Sequence, residues 1–339
     1  MEVIFNHLDV VWFVIVCVLF AGFFMLEGFD YGVGMLLPFI GKNDIERRQM
    51  INSVGPVWDG NQVWMITAGG ATFASFPNVY ATLFSGFYLA LFLILAALIM
   101  RGISFEFRSK SANRTWRSLF DWLLFVGSLV PALVWGVAVG NMIQGTPIDA
   151  QQNFVGNLFT LFTPYTLLCG LAFVLVFIYH GAMYTSIKTV GAIAERARAT
   201  ALVEGVITAI GALILLAASF VCTDMFNNGL SLAAFIIAIV CFIISWICAR
   251  VRHTGWGFIF SCATVIFVTI AYFAGLFPRI MVSSLNPAWS LTITNASSSP
   301  YTLHLMTIVA LIFVPIVLLY QIWNYWRFRE RISPEHLHY

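Results

Sequence analysis

Nine stretches of this chain hold almost nothing but apolar side chains: residues 8–39, 53–76, 80–100, 118–141, 161–186, 201–221, 230–248, 256–277 and 304–325. A helix rising ~1.5 Å per residue needs roughly 20 apolar residues to cross the hydrocarbon core of a bilayer. The pattern therefore predicts an all-α, polytopic membrane protein with about nine transmembrane helices. Most connections are short, which predicts antiparallel sequential neighbours. Three are longer, at 41–52, 101–117 and 279–303. The first two are charged; the third is rich in Ser, Asn and Pro and predicts an irregular cap. No internal repeat, soluble domain or long linker interrupts the series, so residues 1–339 read as a single membrane domain. The first stretch lacks a basic start and a small-residue cleavage site, which predicts a retained helix and not a signal peptide.

Charge orients the bundle. Of the 17 Lys and Arg, all but Arg279 fall in alternate connections or in the C-terminal tail. Lys/Arg-rich connections are cytoplasmic, so the N-terminus is expected outside and the C-terminus in the cytoplasm. Only 9% of residues are charged and 60% are hydrophobic, against roughly 25% charged in soluble domains. That balance excludes a soluble enzyme, and the net charge of +2 is loop bias, not a nucleic-acid footprint. Cys17, Cys169, Cys222, Cys241, Cys248 and Cys262 are scattered through or beside apolar segments with no CxxC. They read as small hydrophobes, and no metal site is expected.

Candidate chemistry sits in the polar material of the first two spans. Glu27, Asp30 and Tyr31 interrupt the first at helical spacing, so the three share a face. Glu27 lies about 18 Å from the cytoplasmic end of its helix. A carboxylate at that depth costs on the order of 3 kcal/mol, and such groups face a bundle interior, pair with another group or carry protons. Gly28, Gly32 and Gly34 beside them serve close helix approach. In the second span Gly55-Pro56 predicts a kink, which places Asp59 about 9 Å below the cytoplasmic end. Two acids at graded depth suggest a proton relay. Asn61, Gln62, Thr67 and Ser85 could hold the waters it needs. The alternative for Asp59 is a structural ion pair, with Arg101 at the cytoplasmic end of the third span.

Histidine is scarce. Of six, only His180 sits well inside a span, while His7, His253, His304, His336 and His338 lie at ends, in loops or in the tail. Membrane haems need axial ligands held in packed pockets, and two bis-histidine haems would need about four intramembrane His. His180 reads as a hydrogen-bonded histidine near the cytoplasmic interface. If this protein takes part in redox chemistry, a partner is expected to hold the cofactors.

At these residues the chain resembles a known family. The run EGFDYGVGMLLPFIGKNDIERRQMINSVGPVWDGNQVWMITAGGA that begins at Glu27 is similar to the signature region of subunit II of cytochrome bd-type quinol oxidases. So are RGISFEFRSK at 101–110, GNMIQGTP at 140–147 and VPIVLLYQIWNYW at 314–326. The likeness runs nearly the whole length in order. It implies two four-helix bundles plus one peripheral helix. The implied complex sits in the prokaryotic cytoplasmic membrane, oxidises quinol, reduces dioxygen to water and generates membrane potential. Two b-type haems and one d-type haem would belong to subunit I, with none bound by this chain alone. A quinone is a candidate bound group, and single-helix small subunits are candidate partners. The resemblance makes Asp59, Glu27 and Asp30 a cytoplasmic proton path, with Arg101, Asn61 and Gln62 in support, and places Trp64 at an oxygen-channel entrance. Two departures stand out. Glu27 replaces the more usual Asp of a DGFD pattern, and the connection at 222–229 is short where some members carry an insert. A secondary transporter with a buried acidic site is the competing class, and a purely structural scaffold is a third. Transporters of that kind usually show paired interruptions in both halves, whereas here they crowd into the first two spans.

Overall fold

The structure, a computed structural model, describes residues 7–335 and 337; His336 and His338 lie outside them. Eleven α-helices follow in order: α1 (Leu8–Ile40), α2 (Asp44–Val54), α3 (Trp58–Ser75), α4 (Pro77–Gly86), α5 (Tyr88–Phe107), α6 (Arg114–Gln144), α7 (Pro164–Lys188), α8 (Ala192–Cys222), α9 (Gly229–Arg250), α10 (Thr254–Leu276) and α11 (Pro300–Arg327). Eight of them, α1 and α5 to α11, are long and apolar enough to cross a membrane. The ninth expected span is α3. Its 18 residues reach ~27 Å, but its first turns carry Asp59, Asn61 and Gln62. With α3 counted, the helices agree with the nine expected.

Helix starts follow local chemistry. Asn43 caps α2 by accepting from the Glu46 amide, and Asn228 caps α9 by accepting from Leu230. Thr163 and Thr166 form a reciprocal capping box ahead of Pro164, and Ser299 does similar work ahead of Pro300. A side-chain oxygen at the cap satisfies a donor the first turn leaves open, and proline fits the first turn because it brings none.

The structure breaks two expected spans. Residues 53–76 are not one kinked helix: α2 ends at Val54, a turn runs through Gly55-Pro56-Val57, and α3 begins at Trp58. Pro56 lacks the amide that would continue the α2 ladder, and Val57 closes the turn by donating to the Val54 carbonyl (2.9 Å). The connection expected at 41–52 is therefore mostly helix. Residues 80–100 are divided too, at Phe87, between α4 and α5. The cap at 279–303 carries a short antiparallel pair, β1 (Arg279–Met281) with β2 (Leu291–Thr292).

The helices form two groups. α1, α3, α5 and α6 make one and α7 to α10 the other, joined where α7 packs on both α1 and α6. α11 touches only α1 and α3 closely and is otherwise bare. The α1–α7 contact is backbone on backbone: a Cβ at Gly32 would sit 1.9 Å from the Phe177 carbonyl oxygen and 2.8 Å from the Gly181 Cα. Only glycine at both positions permits that approach.

The connections sort to two ends. At the Lys/Arg-rich end Arg47 pairs with Asp121 (2.7 Å), Arg196 with Glu46 (2.8 Å) and Arg252 with Glu195 (2.9 Å). The tail joins them, with the Ile332 amide donating to the Lys188 carbonyl (2.7 Å). At the other end Arg279 pairs with Asp224 (2.8 Å), and the Ser298 amide donates to the Ser75 carbonyl (2.8 Å). The alternation expected from charge is thus the alternation of the fold.

Candidate functional site: a buried acid pocket

α1 carries Glu27 and Asp30 into the middle of the first group of helices, where each is at most 1% exposed. From α5, Arg101 enters the same pocket, itself 1% exposed, and its Nη1 donates to Glu27 Oε1. The guanidinium lies over the Tyr31 ring (4.9 Å to the centroid) and within 5.6 Å of the Phe105 ring. Aromatic faces attract a cation, more strongly away from water. The partner of Arg101 is therefore Glu27, and the expected alternative of an Arg101–Asp59 pair is not formed.

Asp30 is held from α3. Asn61, fully buried, donates through Nδ2 to Asp30 Oδ2 (2.8 Å). Asn61 Oδ1 in turn accepts from the Tyr325 hydroxyl (2.6 Å) and from Gln321 Nε2 (3.3 Å), both on α11. Neither α11 residue had been singled out at the sequence level. A polar pair on a bare, aromatic-rich helix reads there as an interface belt, and only the packing of α11 on α3 shows its purpose. Five buried atoms around the pocket have no hydrogen-bond partner among the described residues: Glu27 Oε2, Asp30 Oδ1, Tyr31 Oη, and Arg101 Nε and Nη2. Buried polar atoms of this kind are where internal waters bind.

Asp59 is placed differently from its expected position. It is exposed, in the first turn of α3 and not two turns inside a longer helix. The break at Pro56 causes this, and a carboxylate at a helix N-terminus is favoured by the helix dipole. It shares an open strip of α3 with Gly60, Val63, Ile66, Thr67 and Phe73. An added Cβ at Gly60, Gly69 or Gly70 would meet nothing within 4 Å. Gln62 is half-buried. Trp64 is half-buried as well: its ring fills the space a Gly22 side chain would need, and its Nε1 donates to Gln321 Oε1 (3.3 Å).

His180 is buried and has both ring nitrogens engaged, Nδ1 with Ser261 Oγ (2.8 Å) and Nε2 with the Met25 carbonyl (2.9 Å). It stacks on Phe258 at 5.2 Å, as a hydrogen-bonded core histidine does.

A second cluster of charge lies at the basic end. Asp121 accepts from Arg47 (2.7 Å) and Arg108 (2.6 Å), and Asp44 accepts from Arg108 (3.0 Å) and Arg117 (2.8 Å). Glu46 accepts from Arg196, which holds its carboxyl below the ordinary value of 4.5. A depressed carboxylate contributes stability above its unfolded value and loses it as pH falls through the folded one. This clamp is at full strength at neutral pH.

A wide apolar groove of about 710 Å³ opens between α3 and α4–α5, floored by α1, α6 and α10. Two polar atoms of its lining residues, Trp135 Nε1 and Tyr272 Oη, are buried with no hydrogen-bond partner among the described residues.

Comparison with known proteins agrees with this architecture. Residues 8–328 match the profile of the family described as cytochrome bd terminal oxidase subunit II. The chain is 41% identical over 324 residues to the cytochrome bd ubiquinol oxidase subunit 2 of Bacillus subtilis, covering 95% of this chain and 96% of that protein. It is 40% identical to the cytochrome bd-I ubiquinol oxidase subunit 2 of Escherichia coli, covering 98% and 97%. The fold matches a chain of the bd oxidase from Geobacillus thermodenitrificans with a TM-score of 0.75 at 18% identity, covering 93% of this chain and 98% of that one. A multi-pass bundle of this topology, matched in sequence over nearly its full length, belongs to the cytochrome bd terminal oxidase subunit II family.

Proposed function

We propose that this chain, as subunit II of a quinol oxidase in a prokaryotic cytoplasmic membrane, scaffolds a haem-bearing subunit I and conducts cytoplasmic protons toward the site of dioxygen reduction. The observation that carries the proton path is the pocket of two carboxyls and one guanidinium with five unpartnered polar atoms. One positive charge balances one carboxylate. The second carboxyl is free to gain and lose a proton, and waters on the unpartnered atoms would link it to its surroundings. Entry is through Asp59 at the basic end, then Asp30 and Glu27 at increasing depth, with Arg101 and Asn61 fixing the two inner acids. Gln62 stands beside the entrance. Trp64 occupies the position associated in the family with oxygen entry.

Subunit I, expected to carry two b-type haems and one d-type haem, would dock on the open strip of α3. An exposed carboxylate and uncovered glycines in an otherwise apolar surface suit a closely packed neighbouring helix. The groove suits a quinone because its wall is almost wholly apolar. A secondary transporter would need a matching acid pocket among α7 to α10. Among the described residues those helices carry one acid at comparable depth, Glu204 on α8, with neither a second carboxyl nor a cation paired to it.

In the intact complex, Asp59→Asn and Glu27→Gln are expected to retain all haems and to slow quinol oxidation by about tenfold, equivalent to ~1.4 kcal/mol in the barrier. Glu27→Asp should be milder, since it keeps an exchangeable proton. Wild-type turnover in both amide variants at full haem content would overturn the proton path. Loss of haem from either would reassign the residue to assembly.

A further inference from the structure

The peripheral helix α11 contributes little to the core, yet its cytoplasmic half is fastened at more points than a lipid-facing helix needs. Tyr325 and Gln321 both donate to Asn61 Oδ1, Trp64 donates to Gln321, and Asn324 donates to the Pro56 carbonyl (3.4 Å). The tail behind it is lashed down as well: Lys188 Nζ donates to the Glu330 carbonyl (2.9 Å) and Gln49 Nε2 to the Ile332 carbonyl (3.0 Å).

The bonds to Asn61 have a direction. A side-chain amide presents an acceptor on one side and donors on the other. Two α11 donors claim the oxygen of Asn61, so its NH2 group must face Asp30. Were Asn61 to flip, two oxygens would meet and Asp30 Oδ2 would lose the bond that holds it. We propose that Tyr325, with Gln321 in support, is a positioning residue for the proton path. By locking the Asn61 amide it fixes Asp30 Oδ2 and leaves Oδ1 as the oxygen that exchanges protons. The inference rests on the proton-path reading above and adds a residue from the opposite end of the chain. Asn61 cannot itself pass a proton by simple transfer, because the amide would have to ionise. Tyr325 therefore acts through Asp30 and is not a relay group.

The test uses the intact complex carrying Tyr325→Phe, Asp30→Asn, or both. Tyr325→Phe removes one oxygen from a half-buried ring and is expected to keep every haem and the KM for quinol. Turnover should fall about fivefold, within the range a hydrogen bond between neutral groups supports, and its pH profile should shift. Gln321→Leu, which removes the longer bond, should do the same more weakly. In the Asp30→Asn background Tyr325→Phe should add nothing, because two changes acting through one group are not additive. Wild-type turnover and pH profile in Tyr325→Phe, alongside a slowed Asp30→Asn, would overturn this inference and leave the proton path standing. An equal loss from Tyr325→Phe with and without Asp30 would also overturn it, as would loss of haem. Wild-type turnover in Asp30→Asn would remove the path through that acid and this inference with it.

Discussion

Arg101→Met in the assembled oxidase is expected to be the most damaging single change in the polar layer, costing about 3–5 kcal/mol of stability. Methionine keeps much of the length and apolar stem but leaves Glu27 and Asp30 buried with no counter-charge. It also removes the cation from between the Tyr31 and Phe105 rings. The yield of haem-bearing complex and its thermal midpoint should fall together. Adding Glu27→Gln should recover part of the loss, since replacing both members of a buried pair costs far less than removing one. Arg101→Lys should rescue incompletely, because an ammonium lacks the planar face that lies against the rings. An Arg101→Met complex as stable as the wild type would mean that Glu27 has another partner, contrary to the structure.

The second large effect is steric. Gly32→Ala would drive a methyl group to 1.9 Å from the Phe177 carbonyl oxygen, with the Gly181 backbone close behind. No rotamer relieves a clash with backbone, so α1 and α7 must part along the seam that joins the two groups of helices. Overpacking of this kind typically costs about 1–3 kcal/mol, and here the shift spreads along two long helices. A lowered thermal midpoint and less assembled complex are expected. Gly34→Ala is the control: its Cβ would meet Ser128 Oγ at 2.0 Å, which can rotate away, and Ser128 Cβ at 2.9 Å, which asks for only a small shift, so the loss should be smaller. Equal stability for the two variants would contradict the backbone contact between Gly32 and Gly181.

Much of this architecture is legible in the chain because bilayer spans and caps are local signals. Thr163-Pro164 and Ser299-Pro300 mark their helix starts in the sequence itself. The break at Phe87 leaves no such mark, since an apolar stretch reads as continuous whether or not its backbone bends. α2 was hidden differently: its residues 44–52 are mostly polar and look like a connection until Met50 and Ile51 are seen buried. At the site, Glu27 and Asp30 are legible by depth alone, because a carboxyl inside an apolar span demands a reason. Their partners are not. Which acid Arg101 meets depends on the rotation of α5 against α1. The Tyr325–Asn61 bond joins residues 264 positions apart. Asp59 shows the converse: a helix is expected there, but where it starts, and with it the depth and facing of Asp59, turns on three residues of backbone at Pro56.

The central claim is that protons reach the oxygen-reducing site through the acids of this chain, and its most direct test is the charge movement of a single turnover. Proteoliposomes holding the fully reduced complex would receive an oxygen pulse while membrane potential and interior pH are recorded. For Glu27→Gln with full haem content, early electron transfer should keep its wild-type rate, while proton uptake and the potential that accompanies it slow by about tenfold or more. Proton uptake at the wild-type rate in that variant would contradict the account.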